Sequence, residues 1–250
     1  EAQTPAYRKL AASTTALFTN SSLTQISDGN YKLNLSQFGN RMNLCKEEPY
    51  YDQPIGAFCS GSLVGPDLMM TAGHCIRSQS SCEQTTFVFN YAVESQGNFP
   101  THAKGDDVYR CKTLLHRVEV GTGADYALVR LDRAVKDHTP LAVNRNANIA
   151  AGTPLVVIGH PSGLPTKITD GAIVRDPSRN GYFTANLDTY GGNSGSAVFN
   201  IQTGLIEGIL VRGEQDFEYR NGCAVSKRCT DAGCRGEDVT KISELAKLIP

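Results

Sequence analysis

From about Ala16 to Leu210 the apolar positions of the chain fall in short or alternating runs separated by turn residues. The clearest are residues 31–35, 87–91, 126–131, 155–158, 197–199 and 205–211, seldom longer than seven positions. Alternation with a period of two, or a brief continuous apolar run, marks a strand with one or both faces covered. One stretch departs from this pattern. In residues 239–248, Ile242, Leu245 and Leu248 recur at a spacing of three, which predicts an amphipathic helix at the C-terminal end. Many short strands, a single helix and abundant Gly and Pro predict an all-β sandwich or barrel. No repeat of fixed period is visible. The polar, alanine-rich residues 144–153 separate two strand zones and read as a crossover, which divides the chain into domains of residues 16–143 and 154–250. Residues 1–15 precede them as an arm or propeptide remnant, and the first ten, with Thr4-Pro5 and Arg8-Lys9, read as loose.

Composition narrows the class. The chain has 250 residues, 40% apolar and 20% charged, enough to bury a core and far from the make-up of a disordered segment. With 24 basic and 25 acidic side chains the net charge is −1, which argues against a nucleic-acid face or a polybasic membrane anchor. No apolar run approaches the ~20 residues of a membrane helix. The eight cysteines are scattered, and Cys229 and Cys234 are too far apart for a zinc knuckle, so the reading is disulfides with no metal and no cofactor. Disulfides imply a secreted or periplasmic chain. The first ten residues lack the apolar core of a signal peptide, so the export signal reads as already removed. Sequons at Asn20 and Asn34 are too short a signal to decide the organism.

Two segments pair a chemical group with a permissive backbone. In Leu63-Val-Gly-Pro-Asp-Leu-Met-Met-Thr-Ala-Gly-His74-Cys75 a strand, a Gly-Pro turn and a second strand lead into a His-Cys step. In Asp188-Thr-Tyr-Gly-Gly-Asn-Ser194-Gly-Ser196 a serine sits in a glycine-rich turn just before a strand. A serine hydroxyl is a nucleophile only beside a base, and that base needs a third group to fix its tautomer. Glycines let backbone N–H groups turn toward a developing oxyanion. Asp125, heading the apolar run after Gly123-Ala124, fits the third group.

Thr71-Ala-Gly-His74-Cys75, Ala124-Asp125-Tyr-Ala-Leu-Val and Gly192-Asn193-Ser194-Gly195, in that order and spacing, resemble the trypsin and chymotrypsin clan of serine endopeptidases. The similarity runs from about Phe58 to the C-terminal end. It implies two perpendicular six-stranded antiparallel barrels with a C-terminal helix and a cleft between the barrels. It also implies His74 as general base, Asp125 as its orienting carboxylate, Ser194 as nucleophile, and the amides of Gly192 and Ser194 as the oxyanion hole. The family's disulfide around the catalytic histidine implies a Cys59–Cys75 bridge, sixteen positions apart. The other six cysteines allow 15 pairings, of which proximity favours Cys82 with Cys111 and a local bridge within residues 223–234.

The departures from the family carry information too. The digestive enzymes have aspartate before the catalytic serine, paired with a freed N-terminal amine in the active form of the zymogen. An amide at Asn193 cannot form that ion pair. The Gly-Gly-Asn-Ser-Gly-Ser and Ile158-Gly-His-Pro-Ser-Gly-Leu-Pro segments resemble instead the bacterial glutamyl endopeptidase branch. Val211 stands where the digestive enzymes have a serine bonded to the catalytic aspartate, so Asp125 needs another donor.

By the same resemblance the specificity pocket comprises Asp188, Thr189, the strand of Val211 to Gly213, and Gly236, with the two glycines as open walls. A carboxylate at the base of such a slot implies cleavage after Arg or Lys. The histidine on which glutamyl enzymes rely is replaced by Leu210. Arg212 replaces an aromatic residue of the substrate groove, with Glu214, Asp216 and Glu218 as candidate partners. Glu218-Tyr-Arg-Asn-Gly-Cys223 reads as a solvated loop tied by a disulfide. The expected partners are protein or peptide substrates and proteinaceous inhibitors, met by a monomer. Two alternatives stay open: a glutamyl-specific endopeptidase, and a catalytically silent homologue acting as a binding module.

Overall fold

The computed structural model describes residues 4–146, 148–230 and 233–250. The first three residues of the expected arm and Ala147 of the expected crossover lie outside them. Strands β1 (Thr14–Thr19), β2 (Cys59–Leu63), β3 (Leu68–Thr71), β4 (Thr85–Val88), β5 (Val108–Glu119) and β6 (Asp125–Leu131) close into one barrel. Strands β7 (Pro154–Gly159), β8 (Lys167–Asp176), β9 (Tyr182–Ala185), β10 (Ala197–Asn200), β11 (Ile206–Arg212) and β12 (Glu237–Lys241) close into a second. Every pairing in both is antiparallel, and both follow the strand order 1-2-3-6-5-4 within their own six strands. The all-β, two-barrel expectation is met.

Residues 155–158 explain why an uninterrupted apolar run makes a strand here. Leu155 and Val157 point into the core of the second barrel, whereas Val156 and Ile158 join a larger core that continues into the first barrel through Leu63, Met70 and Leu128. With both faces buried, no polar alternation is left to see. Between Leu131 and Pro154 the described residues carry no strand. Asn144 already bonds to the second barrel, its N–H to the Ile206 carbonyl at 2.9 Å and its side chain to Glu207 at 2.9 Å.

Three local expectations are corrected. The C-terminal helix is instead the closing strand β12 followed by two 3₁₀ turns, Ile242–Glu244 and Ala246–Leu248. Val239 and Thr240 pair with β9 and β11, and the spacing of three seen at Ile242, Leu245 and Leu248 is also the period of a 3₁₀ turn. Far from loose, the N-terminal arm forms helix α1 (Pro5–Ala11), with Thr4 accepting the Tyr7 N–H as N-cap and Pro5 at the first helical position. Its Tyr7, Leu10 and Ala11 pack on the core. The segment around Glu218 to Cys223 is a hairpin of Phe217–Arg220 and Cys223–Ser226, turned by Asn221 and Gly222, both at positive φ. Asn-Gly between two strands is the signature of that turn.

The disulfides are Cys59–Cys75, Cys82–Cys111, Cys229–Cys234 and Cys45–Cys223. The first three agree with the expected pairings. The fourth ties the hairpin of the second half to a loop of the first, 178 positions away.

Candidate active site

His74 follows β3 in a turn that its neighbours make tight. A Cβ on Gly73 would run into the carbonyl oxygens of Val118 and Tyr126, so only glycine lets the turn lie against β5 and β6. That approach sets His74 beside Asp125, the first residue of β6. The His74 N–H donates to Asp125 Oδ1 at 3.1 Å, and Nδ1 lies 2.7 Å from Oδ2. The carboxylate side chain is 4% exposed and the imidazole 26%. Burial pushes the Asp125 carboxyl up, but the hydrogen bonds and charge of His74, with the Gly73 amide, outweigh it and hold the group below its ordinary range. Val211 is buried and offers nothing, so backbone amides of the histidine turn take the place of the missing side-chain donor. The Asp125 backbone is pinned from the second barrel, where Thr240 Oγ1 accepts its N–H at 3.0 Å and donates to its carbonyl at 2.9 Å.

Ser194 enters from the second barrel. Its carbonyl accepts the Ser60 N–H at 2.8 Å and lies 3.8 Å from Cys75 Sγ, so its backbone abuts the disulfide loop that carries His74. Gly195, at φ +89°, could carry no side chain there because a Cβ would meet the Ser60 carbonyl and Thr71 Oγ1. Among the described residues, Ser194 Oγ has no hydrogen-bond partner, and the His74–Ser194 bond is not made. Such bonds are often long before substrate binds. The amides of Gly192 and Ser194 likewise have no acceptor among the described residues.

Asn193 is buried and satisfied at both ends. Its amide nitrogen donates to Thr189 Oγ1 at 2.5 Å, and its oxygen accepts from Ser196 Oγ at 2.6 Å. The turn is thus braced by its own polar side chains. Sequence reasoning registered Asn193 only as a departure, although Thr189, Asn193 and Ser196 lie within eight residues of one another.

Beside the turn is a cavity of about 520 Å³ whose lining includes Asp188, Thr189, Asp216, Gly236 and Glu237. Asp188 is exposed on its wall, not set at the base of a closed slot. The expected open walls differ as well. The Glu237 carboxylate lies across Gly213, while Gly236, at φ +87°, is packed on the Ala185 carbonyl. Burial first, and the neighbouring Asp216 next, push the Glu237 carboxyl up to about 8. Leu210 is buried and points into the core of the second barrel, not the cleft. Arg212 pairs with none of its expected partners. It bonds to Asp238 at 3.0 Å and to the Gly123 carbonyl at 2.8 Å, linking β11 to the turn before Asp125. Glu214 pairs with Lys227 and Glu218 with Arg220, whereas Asp216 accepts from Gly191. Cys59, His74 and Cys75 cluster as metal ligands do, but both sulfurs are bound in the disulfide and offer no thiolate.

Residues 59–209 match the trypsin-like peptidase domain. The chain belongs to that family. Among curated relatives, the chain is 33% identical over 78 residues to chymotrypsin-like elastase family member 3B of Macaca mulatta, covering 31% of this chain and 30% of the relative. It is 27% identical over 116 residues to a trypsin of Sarcophaga bullata, covering 44% and 42%. The matched stretches thus span less than half of these relatives. A crystal structure of the Rv3671c protease from M. tuberculosis, in an inactive form, superposes with a TM-score of 0.54 at 16% identity, covering 97% of this chain and 90% of that one. At that identity the likeness shows the shared fold.

Proposed function

We propose that this trypsin-like peptidase is an exported serine endopeptidase with His74, Asp125 and Ser194 as its catalytic residues, cleaving after Arg or Lys. The observation that carries the reading is the His74–Asp125 hydrogen bond beside the Ser194 turn, whose Gly192 and Ser194 amides have no acceptor among the described residues. Asp125 holds Nδ1–H, leaving Nε2 to take the Ser194 Oγ proton as Oγ attacks the scissile carbonyl carbon. The oxyanion then accepts from the amides of Gly192 and Ser194. The C–N bond breaks as His74 returns the proton to the leaving amine, and water, deprotonated by His74, hydrolyses the acyl-enzyme. Four disulfides support export.

The preference for Arg or Lys rests on the state of the charges around the cavity. Lys227 is paired with Glu214, Arg175 donates to the Cys234 carbonyl at 2.7 Å, and Lys167 donates to Gln53 and the Pro165 carbonyl at 2.8 Å. Asp188 has no hydrogen bond or ion pair among the described residues. A substrate guanidinium or ammonium would supply the missing partner, whereas an acidic side chain would meet the unpaired Asp188. A panel of fluorogenic peptides differing only at the residue before the cleaved bond tests this. The expected result is a kcat/KM at least about tenfold higher for Arg or Lys than for Ala or Glu, a gap of about 1.4 kcal/mol, lost in Asp188→Ser. A preference for Glu, which exposed Arg228 on the cavity wall would favour, contradicts the assignment.

A further inference from the structure

We propose that Asp216 is a positioning residue that, together with the Ser162 amide, holds the Gly191–Gly192 peptide so that the Gly192 N–H faces the reacting carbonyl. This rests on the proposed endopeptidase activity. The turn before Ser194 contains two consecutive glycines, the residues least able to hold one conformation by themselves. Yet both polar groups of Gly191 are taken. Its N–H donates to Asp216 Oδ2 at 2.6 Å, and its carbonyl accepts the Ser162 N–H at 2.6 Å.

The second contact fixes a direction. A trans peptide is planar, with its C=O and N–H pointing opposite ways, and the described chain has no cis bond. Gripping the Gly191 oxygen from Ser162 therefore turns the Gly192 N–H away from Ser162. The first contact fixes the preceding peptide plane, so the pair together leaves neither plane free to flip. Both grips come from anchored segments. The Asp216 carbonyl accepts the Lys227 N–H at 2.7 Å. Ser162 lies in the turn Pro161–Gly163, held by fully buried His160, whose N–H donates to Ser60 Oγ at 2.9 Å and whose Nδ1 lies 3.0 Å from the Leu164 carbonyl. The digestive enzymes order this turn through an N-terminal ion pair that Asn193 cannot form. In this chain the ordering is done by hydrogen bonds from Asp216 and Ser162.

What Asp216 supplies is an acceptor, and this separates the proposal from a role in substrate charge recognition. Asp216→Ala removes the acceptor, whereas Asp216→Asn keeps an oxygen for the Gly191 N–H and removes the charge. With an Arg or Lys amide substrate, Asp216→Ala is expected to lower kcat by about 10- to 100-fold, less than outright loss of an oxyanion donor, with KM within about threefold. Asp216→Asn is expected to stay within about threefold of wild type in both. A structure-only readout accompanies these. Amide exchange at Gly191, followed by NMR, should be protected in wild type and Asp216→Asn and fast in Asp216→Ala.

Unchanged kcat in Asp216→Ala, or equal impairment of the Asn variant, overturns the proposal. Impairment with a lowered melting temperature but unchanged Gly191 exchange overturns it as well. If the wild type turns over no substrate, the endopeptidase reading fails, and Gly191 exchange still decides whether the clamp exists.

Discussion

Two carboxylates of this chain show how environment decides what a residue type does. Asp125 and Glu237 are both substantially buried, and burial alone would push each toward the neutral acid. Asp125 escapes because His74 and the neighbouring amide bond its charged form, so its carboxyl sits below the ordinary range. Glu237 has Asp216, Asp238 and Glu214 beside it with only Arg235 in compensation, and its carboxyl rises to about 8. The consequences for stability have opposite signs. A lowered acid contributes stability above its unfolded pKa and loses it as pH falls through the folded value, which is the behaviour of Asp125. For a raised acid the contribution is complete below the unfolded value, near 4.5 for Glu237, and is lost as pH rises toward 8. Glu237→Gln, neutral at every pH, should therefore raise the melting temperature at pH 8 by a few degrees and leave it nearly unchanged at pH 4. Thermal scans of the two proteins across that range check it, and parallel curves would contradict the assignment. His74, Asp125 and Ser194 were legible in the sequence because their neighbours are as restricted as they are. Glu237 was not, since its pKa depends first on burial and then on Asp216, 21 positions away.

At the scale of elements, the Ser194 turn is braced by its own polar side chains. Asn193 bridges Thr189 and Ser196 from a buried position, so Asn193→Ala would strand the Ser196 hydroxyl and leave a cavity. A buried polar group left without its partner costs about 1–3 kcal/mol. Chemical denaturation of Asn193→Ala should show a loss of that size, together with reduced turnover because the same turn carries Ser194 and Gly192. Wild-type stability would show the bridge to be idle. The elements around the turn were readable to different depths. Strands such as 126–131 and 197–199 followed from apolar runs, and their observed bounds differ by a residue. The helix predicted at 239–248 failed because a spacing of three does not separate an amphipathic helix from 3₁₀ turns, and because closing a barrel needs Val239 and Thr240 as strand. Helix α1 and the hairpin at Asn221-Gly222 had their signals in Thr4-Pro5 and Asn-Gly. Neither has a long apolar run beside it.

Across the whole molecule, the two barrels repeat one strand order with no repeat visible in the residues. Topology is kept by strand number and turn placement, which many sequences satisfy. The proposed site belongs to neither barrel: His74 and Asp125 come from the first and Ser194 from the second, with Thr240 and Arg212 of the second gripping the chain around Asp125. Cys45–Cys223 adds a covalent tie between the halves, and its 178-residue separation is why proximity along the chain did not suggest it. A cleft assembled from two halves makes one claim above all, that His74 of one barrel activates Ser194 of the other. Reaction of the folded protein with a fluorophosphonate, followed by peptide mass spectrometry, tests that directly. One covalent adduct on Ser194 is predicted for the wild type, absent in Ser194→Ala and slowed by about a thousandfold or more in His74→Ala. An unlabelled wild type, or an adduct that forms equally fast without His74, would contradict it.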